Sequence, residues 1–220
     1  MSVVCNRQRK TPSSSNQEVE EKVRQIRQSF LNAITSLVFA LEAKNKYTSG
    51  HSQGVTKIAV LIAKELGMPQ HRIEQIRIAA SVHDIGKVGV SDIVLSKRGS
   101  LTDEEFMHIA SHCSVGESIL RPIIDDKEIL QMVKHHHEKY DGTGYPDGLQ
   151  ARNIPIGARI LAVADAYDAM TSLRSYRKAL NDVITCAELK KNAGTQFDPI
   201  VVNTFIKARH RMIRNGQTAD

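Results

Sequence analysis

The sequence predicts an all-α fold arranged as a single helical domain. Apolar residues recur every three or four positions through most of the 220 residues, the spacing of helices with one buried face. No long stretch alternates apolar and polar residues as a half-buried strand does. Glycine and proline cluster between the periodic segments, where helices start and stop.

Residues 1–16 are polar and Ser-rich, with Arg7, Arg9 and Lys10 uncompensated, the composition of a disordered tail. From Ser13 to Ser49 there is neither Gly nor Pro, and Val23, Ile26, Phe30, Ile34, Leu37 and Leu41 recur at helical spacing. This predicts one amphipathic helix, taken as residues 17–46, that packs onto the body, pairs with a second copy or continues a signalling helix. Residues 47–220 form the main domain. Val55–Leu66 is a helix stopped by Gly67 and Pro69, and His71–His83 is the next, with Ile73, Ile76, Ala80 and His83 on one stripe. Thr102 and Glu105 have the spacing of a capping box, opening a helix over 103–111. Others are expected at 113–121, 126–138, from Pro155 to about 173, at 179–191 and at 198–213. The segment 141–148 holds three glycines and a proline and must be a loop.

Composition narrows the function. Hydrophobic residues at 41% and charged residues at 25% are ordinary for a soluble globular chain. A net charge of +6 and pI near 9.3 favour anionic partners. Aromatic residues at 5%, with no Trp, leave few platforms for stacking single-stranded bases, which counts against a nucleic-acid-binding role. No apolar run approaches the ~20 residues of a membrane span, and the N-terminus has no secretory signal pattern. Cys5, Cys113 and Cys186 are scattered, without a CxxC, and read as free thiols of a cytoplasmic protein.

Nine histidines are more informative, because five fall between positions 108 and 137. His83-Asp84 ends an apolar helix, where a carboxylate is costly unless paired or metal-bound. Imidazole with carboxylate suits Mn, Fe or Zn. Lys87, four residues after His83, shares its face. His108 and His112, also four apart, fit a shared metal and two surface histidines equally well. His135, His136 and His137, followed by Glu138 at a helix end, favour metal binding. Asp165 and Asp168 place two like charges on one face of an apolar helix, an arrangement that calls for a cation. Together these residues have the capacity for two metals, and a pair ~3.5–4 Å apart is the common device for phosphoester hydrolysis. Arg174 and Arg177 follow the Asp-bearing helix. Guanidinium groups fit phosphate, although on their own a solvated helix end is the commoner explanation.

HDIGK (83–87), HHE (136–138) with DGTGYP (141–146), and ARILAVADAYDAMTS (158–172) resemble the HD-GYP phosphodiesterases. These are bacterial enzymes of the HD superfamily that hydrolyse cyclic di-GMP. TSGHS (48–52) and GTQFDP (194–199) also resemble the family, and the likeness runs from about residue 25 to 212. It implies a helical bundle with metals in its core and an irregular GYP loop, making 47–220 the catalytic domain. By position, His83, Asp84, His112, His136, His137 and Asp165 match metal ligands, with Asp84 as the bridge. Lys87 matches a lysine beside the metals that stabilises charge or passes a proton. His51 matches a ligand used when a third metal is present. Tyr145, Arg174 and Arg177 match positions that contact substrate. Where three-metal members carry a glutamate four residues before the first histidine, this chain has Tyr47, so two metals are expected, Fe or Mn ahead of Zn or Mg. His135 is then structural, and His71 and His108 lie on the surface.

The expected activity is cleavage of cyclic di-GMP to pGpG, with GMP following where the opened product rebinds, and with Asp84 and Lys87 catalytic. The alternatives are a phosphodiesterase for cyclic GMP-AMP and a module that binds without hydrolysing. Expected partners are the cyclic dinucleotide, a second copy through the N-terminal helix, and an upstream regulatory domain or signalling protein.

Overall fold

The computed structural model describes residues 14–44, 50–97, 99–172 and 179–215. Among them there is no strand, only a single bridge between Ala193 and Phe197. The helices are α1 (Ser14–Lys44), α2 (His51–Glu65), α3 (Gln70–Val82), α4 (Asp92–Leu95), α5 (Asp103–Ala110), α6 (His112–Leu120), α7 (Lys127–His135), α8 (Ile156–Thr171), α9 (Asp182–Lys191) and α10 (Pro199–Arg214). Short 3-10 turns occupy Ile85–Gly89 and Ala151–Asn153. None of these helices is long and apolar enough to cross a membrane.

The chain divides into two units, residues 1–33 and 34–220. The described part of the first is helical and exposes Val19, Val23, Ile26 and Phe30. In the second, Ile34 and Val38 on the end of α1 are buried. Its core is built on α2, which packs against α3 and α8, while α7 packs against α3, α6 and α8. Val55, Ala59 and Ile62 of α2, Ile76 of α3, Met132 of α7 and Leu161 of α8 are almost wholly buried. Burying a side chain of this size stabilises the fold by roughly 1.5–3 kcal/mol.

Helix starts follow local chemistry. Thr102 and Glu105 form the expected capping box on α5. Asp126, Asn181 and Asp198 each accept a backbone N–H at the start of α7, α9 and α10. The Asn181 cap explains why α9 begins at Asp182 rather than 179. Helix α7 stops at His135 rather than 138, because residues 136–138 turn into the loop that Glu138 organises. The brief α4 and the two 3-10 turns were not expected, being too short to produce a periodic signal.

Candidate functional site

The histidines sit where helices end. The last carbonyls of a helix have no partner within it. His83 caps α3 and directs Nδ1 to the Ala80 carbonyl at 2.8 Å. His136 caps α7 and directs Nδ1 to Val133 at 2.6 Å. His112, two residues past α5, reaches Ile109 at 2.7 Å. A carbonyl only accepts, so each Nδ1 carries the proton and each Nε2 keeps its lone pair.

These lone pairs converge. His112 Nε2 and His136 Nε2 lie 3.3 Å apart, and the rings of both pack against His137. Burial lowers the pKa of His112, pushes His136 well below the usual histidine range and takes His137 to about 4, keeping all three neutral. His112, His136 and His137 form one group of potential ligands, and His51, His83 and Asp84 a second; in each the ligand atoms lie within 4.8 Å of one another. Asp84 stands between the groups. Its Oδ1 is 3.7 Å from His112 Nε2, and its Oδ2 is 3.5 Å from His83 Nε2 and 4.0 Å from His51 Nε2. Lys87 Nζ donates to Asp84 Oδ2 at 2.6 Å. Burial opposes the Asp84 charge, but Lys87 and the surrounding imidazoles outweigh it and hold the carboxyl well below its usual range.

His51 is held differently. It is the first residue of α2, and a helix start offers spare N–H groups rather than spare carbonyls. Its Nδ1 instead donates to Asp168 Oδ2 at 2.6 Å, and its Nε2 lies 3.1 Å from Asp165 Oδ1. Gly54 makes this approach feasible, since a Cβ there would lie 1.9 Å from Asp168 Oδ1. The start of α2 is anchored by Glu42 of α1, whose Oε1 accepts from Ser52 N at 2.8 Å and Ser52 Oγ at 2.5 Å. Burial disfavours a charged His51, but hydrogen bonds to Asp165 and Asp168 and the nearby Asp84 outweigh it and raise its pKa to about 10.

The arrangement fits divalent cations. Two imidazole lone pairs face each other at 3.3 Å. His83 Nε2 and Asp84 Oδ1 are buried with no hydrogen-bond partner, a costly state unless something else satisfies them. Imidazole nitrogen with carboxylate oxygen suits Mn, Fe and Zn.

The 141–148 loop borders this cluster. Tyr145 lies over His137 with ring centroids 5.1 Å apart, and burial raises its phenol above the usual range. Glu138 accepts from the backbone N–H of Asp147 at 2.8 Å and of Leu149 at 3.1 Å. Asp147 takes Lys134 Nζ at 2.6 Å and His135 Nε2 at 3.0 Å. Residues 194–198 support the loop from below: Tyr140 N and Asp141 N donate to the Gln196 and Thr195 carbonyls. Buried Asp198 caps α10 and pairs with Arg159 of α8.

The fold thus brings together His51, His83, Asp84, Lys87, His112, His136, His137 and Asp165, with Tyr145 at their edge. His108 stays apart, its Nε2 accepting the Ser91 N–H at 3.1 Å. The break between α5 and α6 at Ser111 removes the shared face that a continuous helix would give His108 and His112. His135 is buried and tied to the loop, as expected of a structural residue. Tyr47, Arg174 and Arg177 lie outside the described residues. The sequence paired Asp168 with Asp165 but did not reveal that Asp168 holds His51, and it did not mark Gly54 or the Glu138 loop clamp. No local pattern signals contacts across such separations.

A family model described as HD domain matches residues 36–201. The cyclic di-GMP phosphodiesterase response regulator RpfG of Xanthomonas campestris pv. campestris is 34% identical over 203 residues, covering 90% of this chain and 51% of that protein. The 3'3'-cGAMP-specific phosphodiesterase 3 of Vibrio cholerae is 37% identical over 166 residues, covering 76% of this chain and 36% of that protein. The chain therefore spans about half or less of the length of these curated relatives. Among solved structures, a cyclic GMP-AMP specific phosphodiesterase of V. cholerae superposes with a TM-score of 0.68 at 17% identity, covering 86% of this chain and 51% of that one, a likeness of fold.

Proposed function

The chain belongs to the HD domain family, in its HD-GYP branch, and from that premise we propose that it hydrolyses cyclic di-GMP to pGpG, with GMP following where the opened product rebinds. The observation that carries this reading is the facing pair of ligand groups, with one oxygen of Asp84 turned to each. Two divalent cations held there, Fe or Mn, would polarise a phosphoryl oxygen and activate water for attack on phosphorus.

The residues supply the rest. His83, His112, His136, His137, Asp84 and Asp165 form the ligand set, and His51, paired with Asp168 and Asp165, stands beside it and ligates only on losing the proton that those carboxylates favour. Lys87 holds a proton at Nζ beside Asp84 and offsets negative charge as the phosphodiester opens. Its position suits protonation of the departing 3′-oxygen. Tyr145, kept neutral by burial, offers an O–H to the substrate. Arg174 and Arg177 are assigned to phosphate groups on sequence position alone.

The test is a product-resolved hydrolysis assay, with protein prepared anaerobically and supplied with Fe(II) or Mn(II). Formation of pGpG, lost in Asp84→Ala with helicity retained, is the expected result. No product from a metal-loaded protein overturns the reading. The V. cholerae relative favours a second reading, cleavage of cyclic GMP-AMP, and the same assay with that substrate separates the two.

A second copy is assigned to α1. Its exposed Val19, Val23, Ile26 and Phe30 follow a seven-residue repeat, the period of a helix–helix seam. Sedimentation should give a dimer that Ile26→Glu dissociates. A regulatory domain or signalling protein acting upstream completes the proposal.

A further inference from the structure

The site ends in an aromatic corner that the ligand set does not use. Phe106 projects from α5 and meets Tyr145 with ring centroids 5.6 Å apart and planes at 88°. Tyr145 in turn lies over His137, 5.1 Å away at 34°. Three rings therefore lead outward from the histidine cluster, and the outermost is 46% exposed. Edge-to-face packing is favourable for the pair, and it leaves two ring planes at right angles, one wall and one floor, joined to the cluster through His137.

We propose that Phe106 and Tyr145 form a nucleobase subsite, with a base of the substrate lying flat on the exposed Phe106 face while its phosphate sits at the histidine and carboxylate cluster. This rests on the proposed cyclic dinucleotide activity and adds to it the residue that recognises the base. A phosphate alone carries no planar group to exploit the corner, whereas every nucleobase has a π-face. Helix α5 carries Asp103, Glu104 and Glu105 and no Lys or Arg, so it offers a second phosphate no strong cationic partner. An uncharged base is the better occupant.

The test is calorimetric titration of Mn(II)-loaded protein with GMP and, separately, ribose 5-phosphate, which keeps sugar and phosphate but lacks the base. Wild type should bind GMP roughly tenfold or more tightly than ribose 5-phosphate, in line with the usual worth of one stacked base. Phe106→Ala should remove that advantage and leave ribose 5-phosphate affinity unchanged, while Phe106→Trp should keep it. Equal binding of the two ligands by wild type overturns the proposal, as does a GMP advantage that survives in Phe106→Ala. Equal weakening of both ligands in Phe106→Ala also overturns it, because Phe106 then only braces the loop. Failure of the activity itself is read separately, as absence of pGpG and of any cyclic GMP-AMP product in the hydrolysis assay.

Discussion

His136 and His51 present Nε2 to the same cluster, yet their other nitrogens are secured in opposite ways. His136 uses the carbonyl of Val133, three residues back on its own helix. His51 uses the carboxylate of Asp168, 117 residues away. A residue that follows a helical turn, as His83, His112 and His136 do, inherits one of that turn's free carbonyls, while His51, which opens α2, takes its acceptor from α8. The first kind of support comes with the local backbone. The second depends on side chains from two helices, and on Gly54 leaving room between them.

Removing a ligand outright should have the largest effect. His137→Ala removes a ligand outright, and metal content of the purified protein should fall by at least one ion per chain, with activity lost. His135→Ala, two residues away, should keep its metal; equal loss in both variants would overturn the division between ligand and structural histidines. Next comes the imported support. Asp168→Ala should weaken one cation by about 10–100-fold, the usual cost of losing a carboxylate behind a ligand histidine, measured by competition with a chelating dye. An unchanged affinity would mean that His51 is not a ligand. Gly54→Ala attacks the same bond from the other side, and its Cβ should push Asp168 away from His51. It should reproduce the metal defect of Asp168→Ala and cost about 1–3 kcal/mol in stability from overpacking, read by urea denaturation. Smallest is Asn181→Ala, which removes only the α9 cap. It should cost about 1 kcal/mol, a Tm drop of roughly 2–4 °C, with metal content unchanged.

The same contrast explains what could be read in advance. His83, His112, His136 and His137 were legible because helix ends and apolar stripes are local patterns, as were the α5 capping box and the unbroken α1. Asp168 was legible as an oddity, a second carboxylate on an apolar helix, but not as the partner of His51. That pairing exists only after α2 packs on α8. The GTQFDP segment resembled the family without revealing a purpose. Its backbone carbonyls prove to support the 141–148 loop, and carbonyls carry no residue-type signature. Phe106 drew no notice because a single Phe on an amphipathic helix is the commonest kind of core residue.

The bond between His51 and Asp168 has a thermodynamic consequence. The donors that meet at the centre come from residues 51 through 165, with Asp168 behind them, so they converge only when that whole stretch is folded. Cation binding and folding of the domain are then one linked equilibrium. Each tenfold rise in free cation above its dissociation constant should add about 1.4 kcal/mol to unfolding, and the melting temperature becomes a gauge of metal supply.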